Sequence, residues 1–100
     1  MTFFGIRNIG TGQAVGSTSV GTSTTEIVAA NTNGAFILLA NTGTTDVFIG
    51  IDVAATLDTG ILVSKNGGSF VMDATALSTG AINGITSTGT SVVVFQEFNV

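Results

Sequence analysis

Hydrophobic residues along this chain recur at a period of two, in short runs separated by clusters of Gly, Asn, Ser and Thr. Val47, Ile49 and Ile51 share one parity of a run whose other parity holds Asp46, Phe48, Gly50 and Asp52, the pattern of a strand with one apolar and one mixed face. Residues 35–40, just before it, are apolar on both parities: Ile37 and Leu39 on one, Phe36, Leu38 and Ala40 on the other. Joined by Asn41-Thr42-Gly43-Thr44-Thr45, the two runs read as a hairpin at the centre of an all-β domain. A strand apolar on both parities needs a cover on each face. An opposing sheet supplies one; a loop, the N-terminal segment or another subunit must supply the other.

The same reading places strands at residues 26–30, 60–64, 69–73, 80–86 and 91–98, with turns at 31–34, 65–68 and 87–90, where Asn33-Gly34 and Asn66-Gly67 favour positive φ. Residues 53–59 read as a loop or one helical turn, and 73–78 as a short helical turn capped by Asp73. In 91–98, Val92 and Val94 fall on one parity and Val93 and Phe95 on the other, so this strand also calls for a second cover. About seven short strands, with no long helix and no proline, specify an antiparallel sandwich or a compact barrel. We expect a single antiparallel β-sandwich, jelly-roll or Ig-like, with Ile37, Leu39, Val47, Ile49, Ile61, Phe70, Ile82 and Val94 in its core.

Ahead of these strands, Phe3, Phe4, Ile6 and Ile9 form a short apolar stretch, and the Gly-, Ser- and Thr-rich residues 10–25 have the composition of a linker. The expected division is an N-terminal arm over 1–25 and a sandwich over 26–100. Ordering such a polar arm costs on the order of 1 to 2 kcal/mol of backbone entropy per residue. Phe3, Phe4 and Ile6 are the side chains able to offset that by filling an apolar groove, with the arm acting as a strap between subunits. Phe48, on the mixed face of its strand, is the fourth candidate interface residue: either it centres an exposed binding patch or the arm covers it.

Composition narrows the function. At 100 residues the chain is one domain. It has no Cys, which leaves the redox compartment unspecified, and no His, so thiol nucleophiles, Ser-His-Asp triads and the usual zinc sites are excluded. With Arg7 and Lys65 as its only cations and a net charge of −4, it has the wrong sign for a nucleic-acid backbone. Charged residues make up 8% of the chain against about 25% in average domains. This suits a surface packed against neighbours or presented in many identical copies. No apolar run approaches the roughly 18 residues of a membrane-spanning helix, and the start, MTFFGIRNIG, has neither the cationic region nor the apolar core of a secretory signal. Neither membrane nor nucleic acid is expected as a partner.

Asp52 and Asp58 flank one loop, as a carboxylate pair or a shared Ca²⁺ would require, but the D-x-[DN]-x-[DN]-G loop is absent and both suit ordinary turn acids. Gly10-Thr11-Gly12 with Gly16 misses the dinucleotide-loop spacing by one residue, and no helical pattern follows. No catalytic set, metal or cofactor is expected.

The order of elements carries a resemblance. A Glu26-Ile27-Val28 strand is followed by an Asn-containing turn, an apolar strand ending in Ala40-Asn41-Thr42-Gly43-Thr44-Thr45, then Val47-Phe48-Ile49-Gly50. Thr59-Gly60-Ile61-Leu62, Gly67-Gly68-Ser69, Gly80-Ala81-Ile82 and a terminal Val-rich strand complete it. This order resembles small β-sandwich capsid decoration, or cement, proteins of tailed bacteriophages, over about residues 25–98. Members often carry a basic residue near the start of the second core strand and a proline in a later turn; here Gly34 and Asn66 stand at about those places, so docking by charge is not implied. The resemblance implies a non-enzymatic structural protein on the outer capsid surface of a virion. Its implied partners are the major capsid protein and copies of itself, a homo-oligomer for which analogy favours a trimer. An extracellular adhesive module, or one binding glycans or ice, is the alternative. A flat Thr-x-Thr array would favour it, whereas the chain has scattered pairs such as Thr22/Thr24 and Thr86/Thr88.

Overall fold

A computed structural model describes residues 11–32, 34–73 and 80–99. They form eight strands: β1 (Thr11–Val20), β2 (Thr25–Val28), β3 (Gly34–Asn41), β4 (Val47–Ile51), β5 (Ile61–Val63), β6 (Gly68–Met72), β7 (Ile82–Ile85) and β8 (Ser91–Asn99). No helix occurs among the described residues, and every strand pairing is antiparallel. The strands make two four-stranded sheets, ordered β1-β8-β3-β6 and β2-β7-β4-β5. They enclose one shared core, to which the first sheet contributes Val20, Ile37, Leu39, Met72 and Val93, and the second Ile27, Val28, Val47, Ile49, Val63 and Ile82. The all-β sandwich expected from the sequence is the observed architecture.

Its connectivity is that of one long hairpin rolled up. Strand β4 pairs with β5 at the tip, and outward from it β3 pairs with β6, β2 with β7, and β1 with β8. Rolling places β8 beside β3 and β7 beside β4, which joins the nested pairs into two sheets. This is the jelly-roll order. Six of the seven connections therefore pass from one sheet to the other, and only β4–β5 joins neighbours in one sheet.

That corrects the expected central hairpin: β3 and β4 lie in opposite sheets, and residues 42–46 form a corner between them. The 65–68 and 87–90 turns are corners as well. At the first of these, Asn66 and Gly67 have φ of 60° and 111°, and the Gly68 amide donates to the Ser64 carbonyl at 3.0 Å. The positive φ expected at this turn is present, and a positive-φ turn serves a tight hairpin and a sheet-to-sheet corner equally well. Residues 53–59 are the loop of the β4–β5 hairpin. The expected turn at Asn33 and the helical turn over 73–78 fall wholly or mostly on residues outside those described.

Within the expected arm, residues 11–20 are an edge strand of the sandwich itself, with β1 paired to β8 from Thr11↔Asn99 to Val20↔Ser91. The strap reading does not hold for this portion, and residue 25 opens β2. Phe3, Phe4 and Ile6 lie outside the described residues. Strand β1 carries little periodic hydrophobicity because its inward row is Ala14, Gly16, Thr18 and Val20, of which only Val20 is fully enclosed. In β2, a bulge between Glu26 and Val28 inserts Ile27, which lets adjacent residues Ile27 and Val28 both reach the core.

Six of the eight expected core residues pack in or against the core. Ile37, Leu39, Val47, Ile49 and Ile82 are at most 2% exposed, and Phe70 packs beside them, half-buried. Ile61 is 47% exposed, because it begins a three-residue strand at the edge of its sheet and has a neighbouring strand on one side only. Val94 faces outward and Val93 takes the core position. Four apolar residues in a row carry no parity signal, and the inward row of β8 begins at Ser91 and includes the buried Glu97, both polar.

The corner after β3 is held by one buried amide. The Asn41 Nδ2 donates to the carbonyls of Thr45 at 2.8 Å and Val63 at 3.0 Å, and its Oδ1 accepts from the Gly43 amide at 3.1 Å and the Ser91 hydroxyl at 2.6 Å. Both donors and both lone pairs of the side chain are used. Gly43 is required beside it: a Cβ there would overlap Ser91 Oγ and lie 2.7 Å from the Val92 nitrogen and 2.8 Å from the Ser91 Cα.

Two outcomes follow for stability. Leu39→Ala should cost about 2 to 5 kcal/mol in equilibrium denaturation, whereas Ile61→Ala, at the exposed rim, should cost less than about 1 kcal/mol. Asn41→Ala should be as damaging as the core truncation, on the order of 2 to 5 kcal/mol, because it strands buried polar groups on three elements. A loss below that of Ile61→Ala would show that the amide does not hold the corner.

Candidate functional site

The outward-facing rows of the two sheets differ in what lies over them. On the β2-β7-β4-β5 sheet, Phe48 pairs laterally with Leu62 and Ile85, making an apolar row across three strands. Phe48 is half-buried, with Gly60 packed so closely that a Cβ on it would meet the Phe48 Cβ at 2.5 Å. The β4–β5 loop folds over the same face. A Cβ on Gly50 would sit 2.9 Å from the carbonyl oxygens of Val53 and Ala54, and Asn83 Nδ2 donates to the Val53 carbonyl at 2.7 Å. The loop's far anchor is the buried Ala55, whose amide donates to Thr24 Oγ1 at 2.8 Å. Phe48 is thus partly covered within its own subunit, by the loop that follows its strand.

The β1-β8-β3-β6 sheet has no such loop over it among the described residues. Its outward rows run straight across the strands: Ser17, Val94, Ala40 and Ser69 in one, Val15, Gln96, Leu38 and Val71 in the next. Phe36 and Phe98 follow, edge to face with ring centres 6.0 Å apart, a geometry that shields each ring with the other. Val15 is 64% exposed, and Leu38, Val71 and Val92 are 40 to 48% exposed. Between β1 and β3 the surface dips into an open depression lined by Val15, Gly16, Ser17, Leu38, Ala40, Val94, Phe95 and Gln96. Sequence parity pointed to this face through residues 35–40 and 91–98, each apolar on both sides. It missed β1, which supplies one bank of the depression.

Charge is distributed in a complementary way. Of the six acids in the chain, Glu97 is buried, Glu26 stands on β2, Asp46, Asp52 and Asp58 lie in connections, and Asp73 follows the end of β6. The four strands place no ionisable residue on the outward face of the β1-β8-β3-β6 sheet. Several of the polar loop residues have structural work: Asp46 Oδ1 accepts from the Lys65 amide at 2.9 Å, and Thr86 Oγ1 donates to the Gly89 carbonyl at 2.8 Å.

Asp52 and Asp58, the candidate carboxylate pair, are both exposed; Asp52 has φ of 62° and its amide donates to the Ala81 carbonyl at 2.7 Å, the part of a turn residue. Among the described residues no three acidic, His or Cys side chains come together as a metal site would need. No helix of the described residues is long and apolar enough to cross a membrane. Comparison of the chain with protein-family models, with curated proteins and with solved structures returns no match. The described sandwich presents two unlike surfaces: an uncharged apolar sheet face on one side, and a face closed by its own loop on the other.

The loop's role is open to a direct check. Gly50→Val should push the Val53 and Ala54 carbonyls away from the sheet, lower stability by about 1 to 3 kcal/mol and speed proteolytic cleavage within residues 53–59. Unchanged cleavage would mean that the loop does not depend on close approach at Gly50.

Proposed function

We propose that the protein is a structural component of a phage virion, a decoration or cement protein that binds the outside of the capsid through the major capsid protein and through copies of itself. The observation that carries the reading is the broad outward sheet face that is apolar, uncharged and free of any covering loop among the described residues. Apolar patches of that breadth mark protein interaction sites. The order of strand and turn phrases that resembles phage decoration proteins supports it, as does the jelly-roll architecture, which is common in capsid and lectin domains.

The mechanism is linkage by mass action. A protein that binds the assembled shell and not its dissociated subunits stabilises the assembly by the free energy of that binding, and contacts that span neighbouring shell subunits oppose their separation. Such work needs no cofactor, and binding across an uncharged face makes the contact insensitive to salt. The exposed rows of Val, Leu and Ser on this face are not the regular Thr ranks that an ice-binding surface would use.

The test is made on particles. Virions purified from the organism that carries the gene should contain the chain in fixed proportion to the major capsid protein, with density on the outer shell. Particles lacking it should release their genome at a lower temperature. Absence of the chain from purified particles, with retention on glycans or cell surfaces instead, would overturn the shell reading in favour of an adhesive module.

A further inference from the structure

We infer that the outward face of the β1-β8-β3-β6 sheet is the surface on which a second copy of this chain docks, sheet against sheet. The inference rests on the self-association part of the function proposed above and not on the shell.

The first argument is charge. The chain carries a net −4, so two copies approaching each other repel unless they meet where the acids are not. The exposed acids lie on β2 and in connections, and this face is the side of the sandwich from which the strands exclude them. A basic partner would find no counter-charge here, and an acidic one would gain nothing over a copy.

The second argument is area. Nine residues of β8 at about 3.3 Å each, across four strands about 4.8 Å apart, give a face of roughly 500 Å², so two such faces remove roughly 1,000 Å² or more from water. That reaches the lower bound for a specific interface. The third argument is symmetry. A sheet face meeting its own copy makes an isologous contact, in which the ridge of Leu38 and Val71 on one copy can enter the depression beside Val15 on the other. Such a contact closes at two copies, whereas a trimer would have to be built from different surfaces.

Sedimentation equilibrium of the full chain at micromolar concentration tests this, with far-UV circular dichroism to confirm folding. A dimer whose affinity does not change with added salt is expected. Leu38→Lys and, on a different strand, Val92→Lys should each weaken it by at least roughly tenfold, since each buries an unpaired charge in the contact. Leu62→Lys, at a somewhat more exposed position on the other sheet, should leave it unchanged. Hydroxyl-radical footprinting of the unaltered protein gives the same reading without any risk to folding: Leu38, Val71 and Val92 should become protected as concentration rises, and Leu62 should not. A monomer throughout, a dimer indifferent to Leu38→Lys and Val92→Lys, or protection at Leu62 in place of Leu38 would overturn the inference. A dimer in solution from a chain absent from particles would leave it standing while removing the shell reading; monomers that decorate shells would do the reverse.

Discussion

The fold depends on moving a chain repeatedly between two sheets without leaving backbone polar groups buried and unpaired. The Asn41 side chain meets that constraint at the corner after β3. It closes its own turn through Thr45 and Gly43, reaches the end of β5 through Val63, and receives the Ser91 hydroxyl at the start of β8. Backbone bonds run beside it, from the Thr42 amide to Val92 and from the Gly67 amide to Asn41 itself. One residue therefore registers a corner, an edge strand of the opposite sheet, the neighbouring corner and the last strand of its own sheet. Among the described residues no buried side-chain nitrogen or oxygen is left without a partner. A buried amide of this kind gives little net stability when satisfied and costs much when it is not, so it selects one arrangement over its alternatives.

The same rolled topology produces the two unlike faces. Among the described connections β4–β5 alone joins strands within one sheet, and it folds back over that sheet across Gly50 and Asn83. All other described connections are spent in crossing between the sheets at the ends of the sandwich. The β1-β8-β3-β6 sheet is left with Val15, Leu38, Val71 and Val92 exposed, on a chain in which ordinary surfaces would place Lys and Glu. One sheet is thus closed by its own loop and the other presented, and the four strands place no ionisable residue on the presented face. Strand pairing that joins residues as distant as Thr11 and Asn99 also makes this a fold of high contact order, one that closes late and slowly.

Alternation at Val47, Ile49 and Ile51, and at Phe70 and Met72, was enough to identify strands and their core-facing sides, since one-sided burial leaves a direct mark on which side chains are tolerated. The strength of the turns was legible for the same reason: Asn66 and Gly67 occupy a backbone region that few residues enter. The double apolarity of residues 35–40 and 91–98 announced a face needing a cover, and the structure shows which sheet that is. Phe48 was legible as a borderline residue, but its cover is a loop 12 residues further along the chain at Gly60, and no local pattern marks such a contact.

What the sequence determined by itself, then, was the β class, most strand positions, and the polarity of each side where apolar and polar residues alternate. Tertiary structure alone decided the partners. Whether a turn makes a hairpin or a corner depends on distant strands competing for the same edge, and this is why residues 35–52 have the local pattern of a hairpin yet lie in opposite sheets. It also decided that a Ser- and Thr-rich stretch becomes β1, because an edge strand is held by backbone bonds to β8, which any side chain permits. The parity of β8 was settled in the same way, through Ser91 meeting Asn41 on the inner side, a bond between residues fifty positions apart.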